Sequence, residues 1–169
     1  MDLWPRLQQL VETHKPGSVG KILQRLLGIA FGQIGFRVVE EGISEGIDLV
    51  IQHREIHEQR YAFEVRTTYE SFSVPVRQDD IEQLKARSQD GYKTGLAALR
   101  IAPGARWVLV QAERLCPPDL PVSFGTCEPF RELAERLNRA FGQVLEELAE
   151  VAVSSGLEGL KPYLEKAMQ

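Results

Sequence analysis

Long apolar runs are missing from this chain. No stretch approaches the ~20 consecutive apolar residues that a membrane-spanning helix needs, and the opening MDLWPRLQQL carries an early acid and a proline where a secretory leader would be apolar. The expectation is a soluble, cytoplasmic protein. Cysteine is scarce as well. Cys116 and Cys127 lie among prolines without metal-ligand spacing, so they read as reduced thiols rather than as a disulfide framework. A surplus of positive charge is also lacking: the net charge is −4, which gives no global attraction for phosphate and argues against a simple nucleic-acid coat protein. The four aromatics Trp4, Trp107, Tyr61 and Tyr69 are too scattered to mark a base-stacking platform, and core packing is their default role. No nucleophile elbow, phosphate-binding loop or dinucleotide fingerprint is present. His53 and His57 stand four apart on what reads as a hairpin tip, not a helix, which is poor geometry for zinc, and His14 reads as isolated and exposed.

What is there suits one domain: 169 residues, 43% hydrophobic, enough to bury roughly 70% of the unfolded surface on folding. Charge is unevenly spread. From His14 to Val39 there are four bases and no acid, whereas from Glu128 onward eight acids face five bases.

Periodicity orders the elements. Leu3, Leu7, Leu10 and Val11 predict a short helix over 2–12 that ends by Pro16. A second helix is expected behind Ser18 as N-cap, with Val19, Ile22, Leu23, Leu26, Leu27, Ala30 and Ile34 on one face and Gly35 as its stop. Three β-type runs follow, Phe36–Glu41, Ile47–Gln52 and Tyr61–Thr67, punctuated by Gly42, Gly46 and the polar stretch 53–60; they predict a three-stranded meander. Residues 79–89 open with acids and close with bases, as a helix dipole favours. Runs 95–102 and 106–112 flank Pro103-Gly104 as a last pair of strands. A Pro-rich connector spans 113–128. From 129 the chain is helical again, with Phe130, Leu133, Leu137, Phe141, Val144, Leu145, Leu148 and Val151 on one stripe, a break at Gly156 and a final helix over 157–168. That stripe either covers the sheet or pairs with a second copy. The division is thus an N-terminal helix (1–17), a core (18–112), the connector and the C-terminal helices (129–169). The fold class is α/β, a mixed central sheet flanked by helices.

Alternation along the second strand puts Ile47, Leu49 and Ile51 on one face and Asp48 and Val50 on the other. A carboxylate on so apolar a strand is costly unless it is paired or bound to a cation. On the third strand Ala62, Glu64 and Arg66 share a face, so two neighbouring strands aim an Asp, a Glu and a basic side chain together. Hydrolysis of a phosphodiester needs such a group: hard oxygen ligands for magnesium, which neutralises phosphate and activates water. In that reading Asp48, Glu64 and the carbonyl of Val65 bind metal and Arg66 faces the phosphate. The bland alternative is an ion-pair cluster with Arg66 between two carboxylates.

The segments GIDLVI and AFEVRTT, preceded by GKILQRLLGIAFGQIGF and followed by VPVRQDDIEQLKAR and RWVLVQ, resemble the PD-(D/E)xK superfamily, in pattern its archaeal Holliday-junction-resolvase and restriction-endonuclease-like branches, over about residues 18–112. The resemblance implies an αβββαβ core, magnesium or manganese, a DNA substrate and a homodimer. It makes Asp48 and Glu64 the metal-binding acids, and Gln83 the polar residue that relatives carry on the helix after the third strand. Lys21, Arg25 and Lys85 fall on flanking elements and are the candidates for nucleic-acid contact. Departures are visible. Arg66 stands where the family has lysine, and it cannot shed a proton near neutrality. Gln24 replaces a further helix Glu, and Ile47 replaces the proline before Asp48. The alternative to a magnesium-dependent endonuclease is therefore an inactive homologue that binds DNA or a protein partner.

Overall fold

The computed structural model describes residues 2–44 and 47–169; the turn expected at Gly46 lies outside them. Helix α1 (Trp4–Thr13) buries Leu7 and Leu10. Helix α2 (Pro16–Gln33) begins three residues before the position expected from Ser18. Its first residue is Pro16, whose fixed φ and missing N–H suit a first helical position, so proline rather than a serine cap sets the start. Gly35, at φ +99°, terminates it as expected.

Strand β1 (Phe36–Ser44) runs past its expected end, because Gly42 stays inside the strand at φ +63° as part of an irregular pairing between Glu41 and Ser44. Strands β2 (Ile47–His53) and β3 (Arg60–Tyr69) complete the antiparallel meander. A short β4 (Ser73–Pro75) leads into α3 (Gln78–Gln89), and β5 (Lys93–Ile101) then pairs parallel to β3, with Glu64 beside Leu96 and Arg66 beside Ala98. Strand β6 (Trp107–Gln111) closes the five-stranded mixed sheet in the order β1-β2-β3-β5-β6. The connector is more ordered than its prolines suggest: it carries β7 (Asp119–Pro121), paired with β4, and three short helical turns.

Outer-edge groups of β6 are met by neighbours. The Asn138 amide accepts from Trp107 N–H at 2.7 Å and donates to Trp107 C=O at 3.0 Å; Thr126 Oγ1 accepts from Leu109 N–H at 3.1 Å; Cys127 N–H donates to Leu109 C=O at 3.0 Å.

Helix α4 (Arg131–Ala167) is interrupted at Gly156, where φ is +57°. With α1 and α2 it covers one face of the sheet, over Leu49, Ile51, Phe63, Val65, Leu99 and Leu109. Its stripe of Leu133, Leu137, Phe141, Val144, Leu145 and Leu148 is buried inside the chain, which removes it as an interface for a second copy. His14, expected to be exposed, is half-buried, with Nε2 at 2.9 Å from Ala152 C=O, and so ties α1 to α4. The opposite face carries α3 and β4, packed on Leu96, Ala98, Val108 and Val110. Ile47 departs from simple alternation. It packs with Val50, Ala62 and Leu84 on the α3 side instead of with Leu49 and Ile51, next to the irregular β1–β2 pairing.

Candidate functional site

Alternation on β3 sends Glu64 and Arg66 to the α3 side while Phe63 and Val65 fill the opposite core. Asp48, on β2, meets them there. Its Oδ2 accepts from Val65 N–H at 2.9 Å and from Arg66 Nη1 at 3.0 Å. The same Nη1 lies 2.7 Å from Glu64 Oε1 and donates to Val65 C=O at 2.9 Å. One guanidinium nitrogen therefore stands on all three oxygens that the sequence assigns to a metal.

The other end of the guanidinium is held by a residue that sequence reasoning missed. Nη2 lies 3.0 Å from Asp80 Oδ2, and Asp80, only 2% exposed, also receives the exposed Arg77. Asp80 was legible only as a helix-dipole acid. A signal existed in the spacing: Ile81 and Leu84 form the buried face of α3, and Asp80 is four residues before Leu84 on that face.

Glu64 is 2% exposed, and its Oε2 is buried without a hydrogen-bond partner. Burial is the main reason that its carboxyl is pushed up from 4.5 to about 8; the neighbouring Asp48 raises it further, with Arg66 opposing. A proton on Glu64 near neutrality leaves the Asp48 and Asp80 carboxylates facing the Arg66 and Arg77 cations, which balances the charge of the cluster. Between 4.5 and about 8 the folded chain holds a proton that the unfolded chain has released. Stability from this group is thus greatest below 4.5, falls as pH rises, and is flat again above 8. Urea denaturation from pH 5 to 9 is expected to show that decline, and Glu64→Gln is expected to flatten it. A variant with an unchanged pH slope would assign the proton to another group.

The donor set is of the kind that binds magnesium, but in this arrangement it does not fit a cation. Asp48 Oδ2, Glu64 Oε1 and Val65 C=O all face Arg66, and an arginine cannot lose its charge to make way.

The remaining residues expected here are dispersed. Gln24 does reach the site, donating from Nε2 to Asp48 C=O at 2.9 Å, so it fixes the β2 backbone instead of offering a ligand. Gln83 is half-buried on α3 and has no hydrogen bond to the cluster among the described residues. Lys21 and Lys85 are exposed. Arg25, expected at a nucleic-acid surface, is turned inward: Nη1 donates to Leu157 C=O at 2.8 Å and Nη2 lies 3.4 Å from Glu41. His53 Nδ1 accepts from the N–H groups of Glu55 and Ile56, which makes it a turn residue.

No protein-family model and no curated protein matches the chain. Among solved structures it is similar to Hjc, a Holliday junction resolvase from the archaeal hyperthermophile Archaeoglobus fulgidus, with 21% identity over 60% of this chain and 88% of that one and a TM-score of 0.44.

Proposed function

We propose that this chain is a nuclease-like, DNA-binding domain of the PD-(D/E)xK type, residues 18–112 forming its core, in which the position of the catalytic cation is taken by the chain's own Arg66. The observation that carries this reading is the placement of Arg66 Nη1 on Asp48, Glu64 and Val65 together. Carboxylates from adjacent strands converge with a main-chain oxygen, as phosphodiester hydrolysis demands, and a fixed positive charge fills the point of convergence. The element order α2-β1-β2-β3-α3-β5, with only the short β4 added, agrees with the core that the sequence resemblance implies. Three features oppose turnover: Arg66 is no base, Glu64 carries a proton near neutrality, and Gln24 holds the backbone of Asp48 where a further carboxylate would bind metal. The free Cys116 and Cys127 suit a reducing, cytoplasmic setting.

Binding and cleavage separate this reading from its rival. The native chain is expected to bind duplex DNA in fluorescence anisotropy, with affinity falling as salt rises, and to leave duplex, single-stranded and four-way-junction DNA intact with magnesium or manganese. Arg66→Lys is expected to gain cleavage, and Arg66→Lys combined with Asp48→Ala to lose it. Cleavage by the native chain that disappears in Asp48→Ala and in Glu64→Ala would make it a magnesium-dependent endonuclease instead. Failure of the native chain to bind any of these DNAs at low salt would remove the DNA reading altogether.

A further inference from the structure

A second feature lies on the same face of the sheet as the Arg66 cluster. Beyond the ends of β3 and β5 is a groove of about 300 Å³, lined by Phe72, Arg100, Pro103, Arg106, Val108 and Val122 among others. Two arginines and no acid line it, in a chain whose net charge is −4. Neither arginine has a carboxylate partner among the described residues; Arg100 Nε donates only to Ser71 C=O, at 3.3 Å. Uncompensated cations in a concave surface mark it for an anion.

Phe72 adds the second half of the recognition. It is 72% exposed. The Arg100 guanidinium sits 4.1 Å from the ring centroid, so one face is backed by a cation while most of the ring stays open to solvent. Phe124, 47% exposed, comes from the turn after β7, whose Val122 N–H donates to Phe72 C=O at 2.9 Å. An open aromatic ring beside unpaired arginines is the combination that holds a nucleobase and its phosphate, since every base offers a π-face for stacking.

The groove's position ties it to the cluster. Arg66 is in register with Ala98, and Arg100 lies two residues further along β5 on the same face, about 7 Å away along the strand. We infer that the groove takes an unpaired nucleotide of a DNA strand, its base stacked on Phe72 and its phosphate held by Arg100 and Arg106, while the adjoining strand runs past the Arg66 cluster. This rests on the DNA-binding reading above and narrows it: the substrate class is DNA with unpaired nucleotides, as at a flap, a gap or a branch.

The test uses the full chain with two probes, a labelled oligo-dT and a labelled duplex, read by anisotropy, and a single strand carrying a fluorescent base analogue that reports stacking. Phe72→Ala is expected to weaken single-strand binding about tenfold, to abolish the stacking signal and to leave duplex binding unchanged, with Phe72→Trp restoring both losses. Arg106→Ala is expected to weaken the single strand further while keeping the signal. Circular dichroism and melting of the exposed-site variants establish that they fold as the native chain does. Unchanged single-strand affinity in Phe72→Ala, with duplex binding intact, overturns the groove and spares the DNA reading; absence of binding to either probe by the native chain removes both. Displacement of oligo-dT by an oligoglutamate peptide at equal affinity shows that the arginines read charge alone, and overturns the assignment to a nucleotide.

Discussion

Arg66→Ala is expected to lower stability by about 3–5 kcal/mol at pH 9, and by less at pH 5. The reason lies in what the substitution leaves behind. Asp48, Glu64 and Asp80 all face Arg66, and two of the three carboxyls are 2% exposed. Without the guanidinium, Asp80 keeps Arg77 at its rim, but Asp48 and Glu64 keep no cation in contact among the described residues. Arg66 opposes the raised Glu64 carboxyl, so without it Glu64 keeps its proton to higher pH, and that proton stands in for the missing charge until the pH rises above 8. A divalent cation can also replace it. Millimolar magnesium or manganese is therefore expected to raise the melting temperature of Arg66→Ala and to leave that of the native chain unchanged, because only the variant offers a vacated oxygen cage. Urea and thermal denaturation at the two pH values, with and without metal, measure all of this. Equal losses at both pH values and no response to metal would mean that Arg66 contributes through its aliphatic stem alone.

Phe63→Ala tests the opposite face of the same strand, and its expected cost is as large, about 3–5 kcal/mol, without dependence on pH or metal. Phe63 is fully buried. Its ring stacks against Phe31 at 6.0 Å and against Tyr61 at 5.9 Å, and meets Phe130 edge-on at 5.7 Å. Those partners come from α2, β3 and the entrance to α4, so the cavity left by the substitution would be walled by three elements that cannot collapse independently. Denaturation curves for Phe63→Ala and Arg66→Ala at pH 5 and pH 9 should then diverge: parallel losses for the first, pH-dependent losses for the second. A Phe63→Ala loss below about 1 kcal/mol would show that the helical layer repacks freely over β3.

These two residues also mark how far the sequence could be read. Period-two alternation on β3 separates Phe63 from Glu64 and Arg66, and the helical period of α2 places Leu23, Leu26 and Leu27 in the core, because each pattern reports a face that one element buries. The mixed α/β sheet follows from the order of such elements. Ile47 did not follow its pattern, since an irregular β1–β2 pairing carries it to the other side of the sheet, and pairing irregularities leave no mark in a neighbouring strand's alternation. The small β4–β7 pair escaped notice because strands of three residues hold no measurable period. For the C-terminal stripe, periodicity shows only that a face is apolar; whether a sheet or a second chain covers it depends on tertiary placement, which here puts it on the sheet.

In the cluster itself, residue types were easier to read than their partners. Asp48, Glu64 and Arg66 were expected together, and the structure does bring them together. Asp80 comes from a helix that follows an intervening return of the chain, and its distance from Arg66 in sequence carries no information about their distance in space. Arg25 shows the converse. A basic residue on a helix flanking the cluster looks available for phosphate, until an α4 carbonyl and Glu41 are found to hold its guanidinium.

The arrangement along β6 bears on self-association. A sheet's last strand ordinarily offers a row of free amides and carbonyls to any extended segment that arrives, including the same strand of another molecule. Here Asn138 occupies both backbone groups of Trp107, while Thr126 and Cys127 occupy those of Leu109. Strand addition finds the backbone groups at these two positions already taken, so growth through them has no free pair to start from. Two copies that met at Trp107 and Leu109 would have to pair through side chains, without merging their sheets.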